Sequence, residues 1–79
     1  MKWIKTKDER PLILSKVLLA LSNLEVTEAK YMGNDLYTVE SFKSQKYYSI
    51  LDGDDRINEN GIKPLFFTEI PTHPLLENY

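Results

Sequence analysis

Apolar and polar positions change their spacing several times along the chain, and each change marks an element. Lys16-Val17-Leu18-Leu19-Ala20-Leu21 is a short apolar run closed by the turn formers Ser22 and Asn23. Read as a strand, it fits a run of this length between turn signals. Read as a helix, Pro11 takes the first helical position, Asp8 or Glu9 lies near the cap, and Leu14, Val17, Leu18 and Leu21 share a face. Periodicity alone leaves both open. Glu25 to Met32 alternates, with Val26, Thr27 and Tyr31 favouring a strand. Gly33-Asn34-Asp35 is a strong turn signal, and Leu36-Tyr37-Thr38-Val39-Glu40 returns as a second strand, so the pair predicts a hairpin.

The two ends are simpler. Trp3-Ile4 opens an extended segment that stops by Pro11, because proline biases Arg10 away from helical geometry. Pro64 precedes Leu65-Phe66-Phe67-Thr68-Glu69-Ile70, a last strand-like run halted by Pro71 and Pro74. Proline cannot donate to a ladder, which puts the end of this run at a sheet edge. Residues 41–63 are polar and mixed, holding Tyr47-Tyr48-Ser49-Ile50-Leu51 and then an acidic, Asn-rich loop to Lys63. The pattern predicts a mainly β fold with strands near 2–6, 16–22, 25–32, 36–41 and 64–70. They form one small antiparallel sheet or a partly closed barrel; an α+β fold with a helix over 11–23 is the alternative.

At 79 residues the chain makes one domain, 1–79, and a chain this short buries only about 60% of its unfolded surface. It has no cysteine, so neither a disulfide nor a thiolate zinc site is expected to staple it, and a cytoplasmic location is expected. Lys2, Lys5, Lys7, Asp8, Glu9 and Arg10 crowd the start where a secretory leader would be apolar. Val17–Leu21, the longest apolar run, is far short of a membrane span.

The net charge of −2 is unevenly spread. Residues 1–16 carry Lys2, Lys5, Lys7, Arg10 and Lys16 against Asp8 and Glu9, a balance of +3. Residues 50–79 carry Arg56 and Lys63 against Asp52, Asp54, Asp55, Glu59, Glu69 and Glu77, a balance of −4. The basic and acidic segments either neutralise one another on a solvated surface or leave an acidic face for a basic partner. A pI near 5.3 is the wrong sign for a duplex-DNA footprint.

Trp3-Ile4-x-x-x-Asp8-x-x-Pro11, then Lys16-Val17-Leu18-Leu19, then Ser22-Asn23-x-Glu25-Val26-x-Glu28-Ala29-x-Tyr31 resembles the family catalogued as domain of unknown function 551. The resemblance covers residues 3–40, with a weaker counterpart of the family's closing proline-rich strand over 66–74. Three positions depart from it: Glu9-Arg10 replaces an Arg-Leu pair, Leu24 replaces the glycine of an Asn-Gly turn, and Glu69-Ile70 replaces a His-Trp pair. The resemblance implies a strand over 16–21 and a phage- or prophage-borne accessory protein acting inside a bacterium. It brings no catalytic residues with it.

The residues themselves supply no catalytic constellation. Asp52-Gly53-Asp54-Asp55-Arg56 begins like a calcium loop, but Arg56 stands where a ligand oxygen belongs and Lys63 where the bidentate acid belongs. His73 is the one histidine and has no visible partner, so neither a metal nor a cofactor is expected. The glycines at 33, 53 and 61 form no phosphate loop. No enzyme is expected.

The aromatics remain. Trp3, Phe66 and at least one of Tyr31 and Tyr37 are expected in the core. Tyr47 and Tyr48 are neighbours, so one faces in and the other out. The function this supports is a non-enzymatic accessory protein that binds and inhibits a host protein such as a defence factor. Its docking surface is expected at Tyr47, Tyr48, Asp52, Asp54, Asp55 and Glu59. The alternative is a module that sequesters a nucleotide or other small ligand. Aromatics beside Arg10, Lys30 and Lys46 would then stack a base and hold a phosphate at a site between subunits. A homo-oligomer formed through an uncovered edge strand is a variant of the first.

Overall fold

In the computed structural model, residues 2–40, 44–51 and 56–70 are described. They hold six strands: β1 (Ile4–Lys5), β2 (Lys16–Leu21), β3 (Val26–Gly33), β4 (Leu36–Glu40), β5 (Gln45–Ser49) and β6 (Pro64–Glu69). A single 3-10 turn, Glu59–Gly61, precedes β6. The strands form one antiparallel sheet in the order β1-β6-β2-β3-β4-β5. Its end strands, β1 and β5, do not pair, so the sheet is not closed into a barrel. The ambiguous run is a strand: no helix covers 11–23, because Val17, Leu19 and Leu21 bury at a spacing of two rather than along a helical stripe.

Register explains which side chains fill the core. Leu19 lies opposite Thr27 of β3 and Phe67 of β6, and Phe67 lies opposite Ile4 of β1. Across the other half, Tyr37 lies opposite Tyr31 and Tyr48. These positions share one face, where Val17, Leu19, Leu21, Ala29, Tyr31, Tyr37, Tyr48 and Phe67 are all buried. Burying each large apolar side chain stabilises by roughly 1.5–3 kcal/mol. The rings of Tyr31 and Tyr37 are tilted by 56° with centroids 5.0 Å apart, a favourable aromatic geometry.

Alternation then sends Trp3 and Phe66 out of the core, against expectation. Phe66 pairs with Lys5 and Ala20 on the opposite face, and Phe67 takes the interior position that Phe66 was expected to fill. Both expected core tyrosines are buried.

β5 is the strand the sequence pattern does not announce. Its outward positions are Gln45, Tyr47 and Ser49, Lys46 takes a core-side position, and its pairing with β4 over five residues makes it a strand. The outer edge of β5 is capped. Asn58 donates its backbone N–H to the Tyr47 carbonyl (3.0 Å). Its side chain accepts from the Ser49 N–H (2.9 Å) and donates to the Ser49 carbonyl (2.7 Å). At the other side, β1 pairs with Phe66 and Phe67 of β6, and the Thr6 N–H that follows donates to the Leu65 carbonyl (3.0 Å). From Thr68 on, β6 pairs with β2 alone among the described residues, so the end of this run does meet a sheet edge.

Candidate functional site

Turn chemistry sets up the two ends of the sheet differently. The β3–β4 hairpin turns on Asn34 (φ 52°) and Asp35 (φ 62°) after Gly33 (φ 88°), the positive pair that a two-residue type I′ turn requires. Arg10 clamps it: its Nε donates to Asp35 Oδ1 at 2.5 Å and its Nη2 to Oδ2 at 3.4 Å. The Tyr31 hydroxyl accepts the Asp35 N–H at 3.0 Å. The carboxylate raises the Arg10 guanidinium above its ordinary value. Burial, with smaller contributions from Tyr31 and Asp35, pushes the Tyr37 phenol well up.

The β2–β3 turn is built otherwise. The Leu24 N–H donates to the Leu21 carbonyl (3.1 Å), the Leu21 N–H to the Glu25 carbonyl (2.8 Å), and the Glu25 N–H to Asn23 Oδ1 (3.1 Å). Ser22 ties the turn to the start of β6, its N–H reaching the Lys63 carbonyl (2.8 Å) and its Oγ accepting the Lys63 N–H (2.9 Å). Within this frame Leu24 sits at φ 71° with its side chain 95% exposed. An L-residue with a large side chain costs roughly 1–2 kcal/mol there.

Two residues after Leu24, Val26 belongs to an apolar strip on the sheet face away from the core. Phe66, Ala20 and Val26 form a row across β6, β2 and β3. Phe66 is 36% exposed, Val26 55% and Trp3 40%. The small Ala20 between two larger neighbours leaves a shallow hollow of about 340 Å³ walled by Trp3, Val26 and Phe66. On its other side Phe66 borders a second groove, of about 390 Å³, which Lys5, Lys7 and Lys63 also line. Further along the same face, Lys16, Glu28, Lys30 and Glu40 line a hollow of about 380 Å³ in which both signs of charge are present. A separate exposed group, Leu12, Ile13 and Leu14 with Met32, lies at the far end of the β2–β3 ladder. Leu14 there also has positive φ, 69°.

Of the surface expected from the sequence, Tyr47, Tyr48 and Glu59 are among the described residues. Tyr48 is buried (6% exposed) opposite Tyr37 and cannot anchor a partner. Tyr47 is the outward one of the pair, as alternation requires, but it is half-buried and its hydroxyl donates to Gln45 Oε1 (3.1 Å). Glu59 is exposed on the 3-10 turn. Asp52, Asp54, Asp55 and His73 lie outside the described residues. The ligand set for the alternative is dispersed. Arg10 is engaged by Asp35. Lys30 lies on the outer face opposite Thr38, whereas Lys46 pairs with Val39 on the core side. Among the described residues no group of three or more acidic or histidine side chains is placed to hold a metal ion. Among the described residues no helix is long and apolar enough to cross a membrane.

Sequence reasoning missed Leu24, Val26, Phe66 and the three lysines. One signal was present: Leu24 stands where the resembled family has a turn glycine. The convergence of Lys5 and Lys7 with Lys63 depends on β1 pairing with β6, which no local pattern encodes. No protein-family model, curated protein or solved structure matches the chain.

Proposed function

We propose that this chain is a non-catalytic binding module. It docks a protein partner on the outer sheet face at Trp3, Leu24, Val26 and Phe66. With the sequence resemblance, the role is that of a phage-borne accessory protein that inhibits a bacterial host factor. The observation that carries the reading is Leu24: an apolar side chain kept almost fully exposed, at a backbone angle that disfavours it, beside an apolar strip. Strain of this kind is retained where a side chain has a use other than folding, and exposed apolar clusters mark interaction surfaces. Large anchors around a small-residue hollow are how such surfaces bind.

The test is affinity capture from bacterial lysate with the wild-type chain, Leu24→Gly and Val26→Thr. Neither variant removes a buried group, so both fold. A host protein held by the wild type and lost from both variants supports the reading. Equal capture by all three chains overturns it.

A further inference from the structure

We infer that Asn60 is a modification site, one of slow non-enzymatic deamidation, and that the turn carrying it sets the rate. The inference stands independently of the docking reading at Leu24.

The chemistry comes from the sequence. Asparagine occurs at 23, 34, 58, 60 and 78, and Asn60 alone precedes a glycine. An asparagine deamidates when the backbone nitrogen of the next residue attacks its side-chain carbonyl carbon. A side chain on that next residue crowds the nitrogen, as after the other four; Gly61 has none. The Gly61 nitrogen forms a bond to Asn60 Cγ and gives up its proton. The Cγ–Nδ2 bond breaks, and ammonia leaves with that proton. Water then opens the cyclic imide at either carbonyl, which yields aspartate or isoaspartate. Asn60 and Gly61 are both exposed, so water reaches the imide.

The gate comes from the structure. Asn60 holds φ 60° and ψ 22°, in the left-handed region that asparagine enters readily. Ring closure needs Asn60 Cβ and the Gly61 nitrogen nearly eclipsed about the Cα–C bond, and at this ψ they stand well apart. The Gly61 N–H also donates to the Asn58 carbonyl (2.9 Å), which holds the attacking nitrogen in place. The Ile62 N–H closes the same turn onto the Glu59 carbonyl (3.3 Å). Asn58 is in turn fastened to β5 through the Tyr47 carbonyl and both backbone groups of Ser49. The reaction therefore runs through a conformer in which this turn has opened locally. Either product places a carboxylate beside Glu59, and isoaspartate also lengthens the main chain by one carbon within the turn.

The experiment incubates the full chain at pH 8.5 and 37 °C, native and in denaturing guanidinium chloride, and locates the products by tandem mass spectrometry. Asn60 is expected to convert before every other asparagine. In the native chain it should convert at least about fivefold more slowly than in denaturant, the factor set by about one closed hydrogen bond. Asn58→Gly suits the backbone angle at 58 (φ 58°) but removes the side-chain tie to Ser49. Its native conversion should speed towards the denatured rate while its ¹H–¹⁵N spectrum stays wild-type-like. Amide exchange at Gly61 in the wild-type chain gives a second readout that needs no variant. Below the unfolding transition, that exchange and Asn60 conversion should rise in parallel with guanidinium concentration. Earlier conversion of another asparagine or equal native and denatured rates would overturn the inference. So would unchanged conversion in folded Asn58→Gly, or Gly61 exchange that does not track conversion.

Discussion

The two hairpins of this sheet solve the same backbone problem with opposite residues. Both turns need positive φ. The β3–β4 turn supplies it with Gly33, Asn34 and Asp35, residues that enter this region at little cost. It then adds an arginine clamp and a tyrosine hydrogen bond. The β2–β3 turn supplies it with Leu24, a residue that disfavours the region and buries nothing in return. The first turn is matched to folding. The second gives up stability and displays an apolar side chain two residues before Val26. Within one small domain, the departure from turn chemistry is the feature that supports the docking surface proposed at Leu24.

The sharpest way to break the matched hairpin is to remove its ring pair. Tyr37→Ala deletes a side chain that is 1% exposed and packed on Tyr31 and Tyr48. A loss of about 3–5 kcal/mol is expected from a cavity of this kind. Chains this short have little stability in reserve, so circular dichroism at 25 °C should show Tyr37→Ala largely unfolded. A cooperative melt close to wild type would mean the tyrosine row is not the anchor of this half.

Next comes an exchange between the turns. Gly33→Val places a β-branched residue at φ 88° and should cost roughly 1–3 kcal/mol. Leu24→Gly should do the reverse, raising stability by about 1 kcal/mol as the strained leucine is relieved. Urea midpoints should therefore move in opposite directions. If Leu24→Gly is destabilising, the leucine serves the fold, and the comparison between the hairpins loses its basis.

These contrasts show what the sequence discloses and where it stops. β3 and β4 were legible because Gly33-Asn34-Asp35 punctuates β-preferring runs, whereas the β2 run stayed open between strand and helix until its burial at a spacing of two decided it. β5 was not, since Gln45 and Lys46 carry no apolar alternation and only pairing with β4 makes the segment a strand. Phe66 and Phe67 are adjacent, so one must leave the core. Which one leaves depends on register against Leu19 and Ala20, a non-local fact. The acidic residues drew attention as a docking surface because charge counts are visible in one dimension. The approach of Lys63 to Lys5 and Lys7 was hidden, since more than fifty residues separate it from both in the chain.

The buried phenol adds a pH signature to the matched half. Tyr37 ionises in the unfolded chain near pH 10, but burial raises its value in the fold. The unfolded state therefore loses its proton first as pH rises. Stability from this group is full below about pH 10 and falls above it, by up to roughly 1.4 kcal/mol per pH unit. Tyr37→Phe keeps the ring and removes this loss, so wild type and Tyr37→Phe should melt alike at pH 8 and diverge by pH 11. Parallel decline of both chains would show that other groups govern alkaline unfolding.

The smallest expected effect separates the two halves by salt. The matched turn holds an exposed ion pair, Arg10 with Asp35, while the Leu24 turn holds none that the structure describes. Screening should therefore lower the melting temperature slightly between low and moderate sodium chloride at pH 7, because exposed attractive pairs weaken with ionic strength. The drop should shrink in Asp35→Asn and persist in Leu24→Gly. It should also be largely absent at pH 3.5, where carboxylates as a class are protonated and such pairs lose their attraction. A rise in melting temperature with salt at pH 7 would reverse this assignment, since it would mean that repulsion among the acidic residues outweighs their pairing with the basic arm. The acidic stretch would then stand free for a basic partner.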